Sequence, residues 1–441
     1  MQINIPTDVE FIIKKLQNNN KKAFVVGGCV RDSILGRVPK DWDICTNATP
    51  EEVIKLFNKT IPTGLKHGTI TVMINNEGYE VATFRIEDDY DDSRHPNKVE
   101  FVDDIVKDLS RRDLTINSMA YNYEDGLIDP FNGYIDILNK FIRAVGDPDK
   151  RFNEDALRML RAIRFSAQLG FKIDEETRNS IRKFSDKIKY ISVERIRCEL
   201  EKIIMSDAYK IDDLVSLGLL KYIIPELCEC IDFNQDNPYH CFNVYKHIIN
   251  TVYSIDKEPH LKLTMLLHDI CKPQCKTIDE NGIGHFYGHA ELSSEKAKDI
   301  LKRLKYDNET INKVTTLVKY HDRQIGKKKS IRKLLSEIGE DNFKDLLKIK
   351  RADIFGQNKE YLNVRLDELA EIRLKLDEVI EQQECFTIKD LAINGRDLID
   401  LGVAEGKEIG EYLNCCLERV LEDPNLNNKS DLIKACNNKL S

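Results

Sequence analysis

Phe24-Val-Val-Gly-Gly-Cys-Val-Arg-Asp32, followed by Asp41-Trp-Asp-Ile-Cys45, is the stretch that decides how the first third of this chain folds. The apolar run predicts a strand ending at Val26 and a helix starting at about Cys29. Between them, Gly27 and Gly28 lack side chains, so the backbone can approach a ligand closely. A helix N-terminus placed there favours phosphate. In outline this is a triphosphate cradle, although strand–Gly-Gly–helix turns also serve as plain structural turns. Asp41 and Asp43 add chemistry. Two residues apart on a strand, they would share one face. Paired carboxylates on one face can hold two Mg²⁺ ions roughly 4 Å apart. Glu80 alternates with Val81 in Tyr79-Glu-Val-Ala-Thr-Phe84 and is the expected third carboxylate, on a neighbouring strand. Taken singly, each of these acids also suits a solvated strand end.

Working outward, strands are expected at Ala23 to Val26, Ile44 to Cys45, Thr69 to Ile74 and Tyr79 to Phe84, where Val, Ile, Thr and aromatics cluster between Gly, Asn or Pro. Beyond about Gly146 the strand signals fade. Helical periodicity takes over at Glu154 to Leu169, Val193 to Met205, Phe242 to Ser254, Leu261 to Ile270 and Leu292 to Leu304. The fold class expected is therefore α+β, a mixed-sheet head followed by an all-helical body.

Composition sets the outer bounds. The 441 residues are 41% hydrophobic and 32% charged, a soluble globular balance, with enough chain for two to four modules. No run approaches the roughly 18 apolar residues of a membrane span, and the first ten residues lack a secretory pattern. The twelve cysteines are scattered without matched C-x-x-C pairs, which points to free thiols in a reducing, cytoplasmic setting. The net charge of −8 does not advertise a nucleic-acid binder. Locally, however, Arg143 to Lys210 carries 16 Lys and Arg against 12 Asp and Glu, where an RNA footprint could sit.

Two further motifs follow the carboxylates. In Arg111-Arg-Asp-Leu-Thr-Ile-Asn-Ser118, Asp113 can accept a hydrogen bond from a ribose 2′ hydroxyl. Arg111 and Arg112 can pair with phosphates, and Asn117 can satisfy backbone or sugar groups. In Glu154-Asp-Ala-Leu-Arg-Met-Leu-Arg-Ala-Ile-Arg-Phe165, Asn153 is the expected N-cap and Gly170 the expected stop. Asp155 and Arg158, at i and i+3, would lie on one helix face and offer acceptors and donors to a base edge. Arg161 continues that face, and Arg164 follows it in the same arginine series.

Together, Gly27-Gly-Cys-Val-Arg-Asp32 with Asp41-Trp-Asp43, the Arg-Arg-Asp motif and Glu-Asp-x-x-Arg resemble, in order, the class II CCA-adding enzyme and bacterial poly(A) polymerase family, within the polymerase β-type nucleotidyltransferases. The resemblance implies catalysis by Asp41, Asp43 and Glu80 with two Mg²⁺ ions. It implies nucleotide binding by Gly27, Gly28, Arg31, Arg112, Asp113, Asn117, Asp155, Arg158, Arg161 and Arg164, with Asp155 and Arg158 selecting C and A. The tRNA 3′ end, CTP and ATP are the implied partners. Ser93-Arg-His-Pro-Asn-Lys-Val-Glu-Phe-Val102 resembles the family's flexible loop, which favours adding a terminal A. Its neighbour Glu87-Asp-Asp-Tyr-Asp-Asp92 is unusually acidic where glycine is commoner. Ile388 to Leu398 and Gly406-Lys-Glu-Ile-Gly410 are similar to the family's tRNA-clasping tail.

A second cluster lies downstream. Seven of the nine histidines fall between His240 and His321. The order His247, His268-Asp269, His285, His289 and His321-Asp322 resembles an HD-type metal phosphohydrolase domain. Imidazole with carboxylate suits a transition metal that activates water. His247, His268, Asp269, His285 and His289 are the expected ligands, with His285 and His289, four apart, sharing a face. The expected division is a nucleotidyltransferase head at 1–145, a base-reading neck at 146–212, an HD-type body at 213–345 and a tRNA-binding tail at 346–441. The alternatives are a poly(A) polymerase, a partial (A-adding) enzyme, or a phosphohydrolase whose head only binds RNA.

Overall fold

The computed structural model describes residues 2–90, 96–382 and 386–440. The chain divides into two compact units, Met1–Pro225 and Glu226–Ser441. No helix among the described residues is long and apolar enough to cross a membrane.

The first unit is built on a mixed seven-stranded sheet. Its strands are β1 (Ala23–Val26), β2 (Ile44–Thr46), β3 (Thr60–Gly64), β4 (Thr69–Ile74) and β5 (Glu77–Thr83). A separate hairpin of β6 (Arg85–Tyr90) and β7 (Pro96–Phe101) comes next, and β8 (Ala120–Asn122) and β9 (Gly126–Ile128) complete the large sheet. The order across that sheet is β3-β4-β5-β2-β1-β8-β9. All four residues of β1 are buried, as expected for a central apolar strand. Only the β2–β5 pairing in this sheet is parallel; its register sets Ile44 beside Val81 and Cys45 beside Ala82. One residue back along both strands, that register brings Asp43 alongside Glu80. Phe24, Val26, Cys45 and Phe84 form a core with Ile105 and Leu109 of the helix Ile105–Ser110.

Several sequence expectations are corrected in detail. Asp41 and Asp43 precede β2, in extended chain rather than within the strand, although the Val26 amide donates to the Asp43 carbonyl and carries the β1 pairing to that point. The helix expected from Glu154 to Leu169 is two helices, Pro148–Glu154 and Leu157–Leu169. Asp155, with φ −144° and ψ 104°, is the extended link between them. The first helix is started by Asp147, whose side chain accepts from the Asp149 amide, and by Pro148; Asn153 lies inside it. Gly170 ends the second helix in the left-handed conformation, as expected. The downstream region is not purely helical either. Phe141–Ile142 pairs with Lys172–Ile173, and Thr277–Ile278 pairs with Gly284–His285. Two-residue strands are too short to leave an alternating pattern. Of the expected flexible loop, Ser93, Arg94 and His95 lie outside the described residues, as do Asp91 and Asp92 of the acidic run.

In the second unit, helices Val244–Ser254, Pro259–Leu267, His289–Arg303, Asn308–Tyr320 and Lys328–Phe355 pack together, the last broken at Gly339. Toward the C-terminus, Leu398, Cys416, Val420 and Leu432 join a separate small core. Ten cysteines are free thiols among the described residues.

One close approach in the first unit leaves no room for a side chain. A Cβ on Gly133 would sit 2.2 Å from the Thr115 carbonyl oxygen. Thr115 is backbone in the Arg-Arg-Asp segment and cannot move aside without shifting it. Gly133→Ala is expected to lower the unfolding free energy by about 2 kcal/mol or more, read by urea titration; an unchanged midpoint would remove the proposed backbone constraint.

Candidate functional site

A cleft of about 870 Å³ in the first unit is lined by Gly27, Gly28, Arg31, Asp41, Asp43, Arg112, Asp113, Asn117, Asp155, Arg158, Arg161 and Arg164. Residues distributed over more than a hundred positions of sequence thus share one hollow. Its walls carry more cations than anions: Arg31, Lys40, Arg111, Arg112, Arg158, Arg161, Arg164, Arg195 and Lys202 against Asp32, Asp41, Asp43, Asp113 and Asp155. That local balance, opposite in sign to the whole chain, suits a polyanion.

The cradle begins at Gly27, which sits at φ 81° before the helix Gly28–Ile34. A Cβ there would lie 3.1 Å from the Arg112 guanidinium, so both the turn and the arginine favour glycine. Arg112 and Arg111 share the buried carboxylate of Asp108. Burial works against the charge on Asp108, but the two arginines outweigh it and hold the carboxyl below its usual range. The opposite happens at Asp43. Desolvation, then repulsion from Glu80 and, more weakly, Asp41, raise its pKa, and Arg112 only partly offsets them. Three mutually repelling carboxylates fit divalent cations, which would relieve that repulsion. Glu80, on β5 next to the extended chain at Asp43, is not part of the cleft wall proper.

A polar chain crosses the cleft floor. Arg31 donates to the Asn117 side-chain oxygen, and the Asn117 amide donates to Asp113 at 3.4 Å. Arg161 donates to the other Asp113 oxygen at 2.6 Å. Burial alone would raise the Asp113 pKa, yet Arg161 and Arg158 bring it down to about 2. Above this chain, Arg31, Arg161 and Arg164 surround the Phe165 ring, their guanidinium carbons 4.9, 5.6 and 4.1 Å from its centroid.

The Asp155 and Arg158 side chains do not pair with each other, although the Arg158 amide donates to the Asp155 carbonyl. Asp155 accepts from the Leu157 amide and from Arg195, while Arg158 donates to Glu154 and to the Arg111 carbonyl. Lys40, Arg195, Lys202 and Phe165 belong to the cleft wall without having been expected there. Arg195 and Lys202 lie on the helix Val193–Ser206, packed against Leu157–Leu169, and carry no local motif.

In the second unit, His247, His268, Asp269 and His289 converge as expected, and His321 and Asp353 join them. His285 does not. It lies in the short hairpin before the helix that His289 begins, so four-residue helical spacing does not apply. Its ring pairs with Asp279 at 3.0 Å and stacks on Tyr287. Asp322 is exposed, and the remaining carboxylate comes from Asp353, near the end of the helix Lys328–Phe355. No histidine neighbours Asp353 in sequence, so no local signal marked it. Burial opposes charge on His268, but Asp269 and Asp353 lift its pKa to about 9.

Comparisons with known proteins follow the same order along the chain. Residues 23–143 match the poly(A) polymerase head domain, 170–231 the RNA and SrmB-binding site of polymerase A, and 279–436 the tRNA nucleotidyltransferase domain 2. A CCA-adding enzyme of Ligilactobacillus salivarius is 33% identical over 446 aligned positions, covering 98% of this chain and 96% of that one. This chain belongs to the CCA-adding enzyme family. The CCA-adding enzyme of Pediococcus pentosaceus is 32% identical, covering 98% of this chain and 97% of its own. That of Staphylococcus epidermidis reaches 49% over 199 residues, 45% of this chain and 50% of the relative. The solved Bacillus stearothermophilus CCA-adding enzyme in complex with CTP superposes with a TM-score of 0.73 at 27% identity, over 98% of this chain and 97% of that one.

The Asp113–Arg161 pair of this CCA-adding family member yields a pH test. A folded pKa near 2, below the unfolded value, means stability that is present above about pH 4 and lost as pH falls toward 2. Asp113→Asn is expected to cost about 2 kcal/mol at pH 7 and about half that at pH 3. Urea titrations at both pH values check it; an equal cost at each would mean the ion pair is not its source.

Proposed function

We propose that this chain adds C, C and A to the 3′ end of tRNA, using CTP and ATP and releasing pyrophosphate, in a cytoplasmic setting. The observation that carries this reading is the shared cleft, where the Asp41–Asp43 carboxylates face an arginine-rich wall that also holds Asp155 and Arg158. Full-length relationship to CCA-adding enzymes supports it.

Asp41, Asp43 and Glu80 hold two Mg²⁺ ions in this reading. Bound there, the ions supply charge neutralisation at the attacking 3′ hydroxyl and the leaving pyrophosphate. The Gly27–Gly28 turn lets the triphosphate lie close to the backbone, and Arg31 and Arg112 pair with its oxygens. Asp113, kept ionised, accepts from the ribose 2′ hydroxyl and so favours ribonucleotides. Asp155 and Arg158 present an acceptor and a donor to the base edge. Each is already anchored by Arg195 or Glu154, so both are oriented before a nucleotide arrives. Catalysis then rests on positioning and charge rather than on a covalent intermediate.

The His–Asp cluster supports a second activity in the other unit, metal-dependent hydrolysis of phosphoesters. Its buried imidazoles and carboxylates have the donor chemistry of a transition-metal site.

Labelled CTP, ATP, UTP and GTP, offered with tRNA transcripts ending before CCA, after C and after CC, test the first reading. Addition of C, C and A, then arrest, is expected. Addition of A alone after CC would make this an A-adding enzyme, and long A tails on unrelated RNA a poly(A) polymerase. Asp41→Ala is expected to reduce incorporation by about 10³-fold or more, with tRNA affinity nearly unchanged in filter binding. Arg158→Ala is expected to admit UTP and GTP; if it kept full C and A selectivity, the base-reading assignment would fall.

A further inference from the structure

The short helix Ile105–Ser110 buries Ile105 and Leu109 in the core, against Phe24 and Val26 of β1 and Cys45 of β2. Its third buried side chain, Asp108, is charged and only 1% exposed. A carboxylate placed there needs partners to stay ionised. Helical spacing supplies two, because Arg111 and Arg112 follow at i+3 and i+4.

The two oxygens of Asp108 are used differently. Its Oδ1 accepts from the Arg85 amide at 3.2 Å, and from Nε and Nη2 of Arg111 at 3.1 and 2.8 Å. Arg111 Nε also reaches the Arg85 carbonyl at 3.1 Å. Backbone and a two-point guanidinium contact therefore fix the carboxylate. Its Oδ2 is left for Arg112, whose Nη2 donates to it at 3.3 Å.

The rest of the Arg112 guanidinium is turned to the cleft. Its Nη1 stands at the Gly27 turn, 3.1 Å from where a Cβ would lie. Its Nε is buried with no acceptor among the described residues. A buried N–H left unpaired costs free energy, which an oxygen-rich ligand recovers. Among the described residues Arg112 forms no ion pair with Asp41 or Asp43, although its charge is felt at Asp43. Released from Asp108, it would find competing partners in those carboxylates.

Resting on the nucleotidyl-transfer reading above, we propose that Asp108 is a positioning residue for that reaction: its fixed Oδ2 tethers Nη2 of Arg112, so that Nη1 and Nε stand at the Gly27 turn for triphosphate oxygens. Asp108 touches no nucleotide in this arrangement and acts only through Arg112. A long side chain held in place beforehand gives up less freedom when the nucleotide binds.

Equilibrium binding of CTP to the full-length protein, in Mg²⁺ and without RNA, tests the tether. Asp108→Asn keeps the shape and an acceptor but removes the charge. It is expected to weaken CTP binding by about 10-fold, and Arg112→Gln by about as much. The double variant decides between positioning and mere support of the fold. If Asp108 acts through Arg112, adding Asp108→Asn to Arg112→Gln costs less than about 2-fold more. Losses that multiply, or unchanged binding in Asp108→Asn, would overturn the tether. A measurement on the unsubstituted chain covers the case in which Asp108→Asn does not fold. In ¹⁵N guanidinium spectra, slowed rotation about the Nε–Cζ bond is expected to split the Arg112 Nη signals before CTP is added; one averaged signal would overturn the tether. If the chain binds CTP but extends no RNA, the nucleotidyl-transfer reading falls, while a double variant without multiplied loss still upholds the tether. No CTP binding at all would overturn both.

Discussion

Like charges brought together at the edge of strand pairing are the constraint on which the cleft of the first unit depends. Parallel pairing of β2 with β5 sets Glu80 beside Asp43, with Asp41 two residues away. Burial first, and then repulsion within this group, push the pKa of Asp43 up. The arginines of the same cleft partly compensate, but several are committed elsewhere. Arg111 and Arg112 hold Asp108, Arg161 holds Asp113, and Arg158 holds Glu154. In the proposed reading, divalent cations relieve the carboxylate repulsion and a triphosphate meets the cleft's net positive charge.

The same logic, in a drier setting, operates in the second unit. There the Asp269 carboxylate is fully buried, with Lys272 and four imidazoles around it. Backbone carbonyls at helix ends fix the ring orientation: Met265 and Val318 lie in the helices that His268 and His321 follow, and Phe286 just before the helix that His289 begins. The position of each ring nitrogen is therefore tied to helix termini and not to flexible side-chain torsions. A charged site this deep is costly to build without a partner for its lone pairs.

Much of the head was readable along the chain. The four strands expected there all form, within a few residues, because each is a short apolar run cut off by residues that break strands. Strands β3, β8 and β9, the β6–β7 hairpin and the pairs at Phe141 and Thr277 were not anticipated. These runs are mixed in polarity or too short to leave a period. The Glu154 region misled in a specific way. Its apolar residues keep helical spacing across the break, since periodicity reports a buried face and is blind to one extended residue. Asp155 caps the following Leu157 amide, so the link serves the site instead of interrupting it.

What the sequence determined by itself was chemistry and order: which residues carry charge, where glycine permits close approach, and the succession of motifs along the chain. Local spacing decides these, because strand alternation and turn sterics act over a few residues. Only the tertiary structure decided partnership. Arg161 meets Asp113, Arg195 meets Asp155, Asp353 reaches the histidines and His285 does not, because these distances depend on how elements far apart in sequence pack. Packing is set by the burial of whole helix and sheet faces, and no single stretch of sequence contains it.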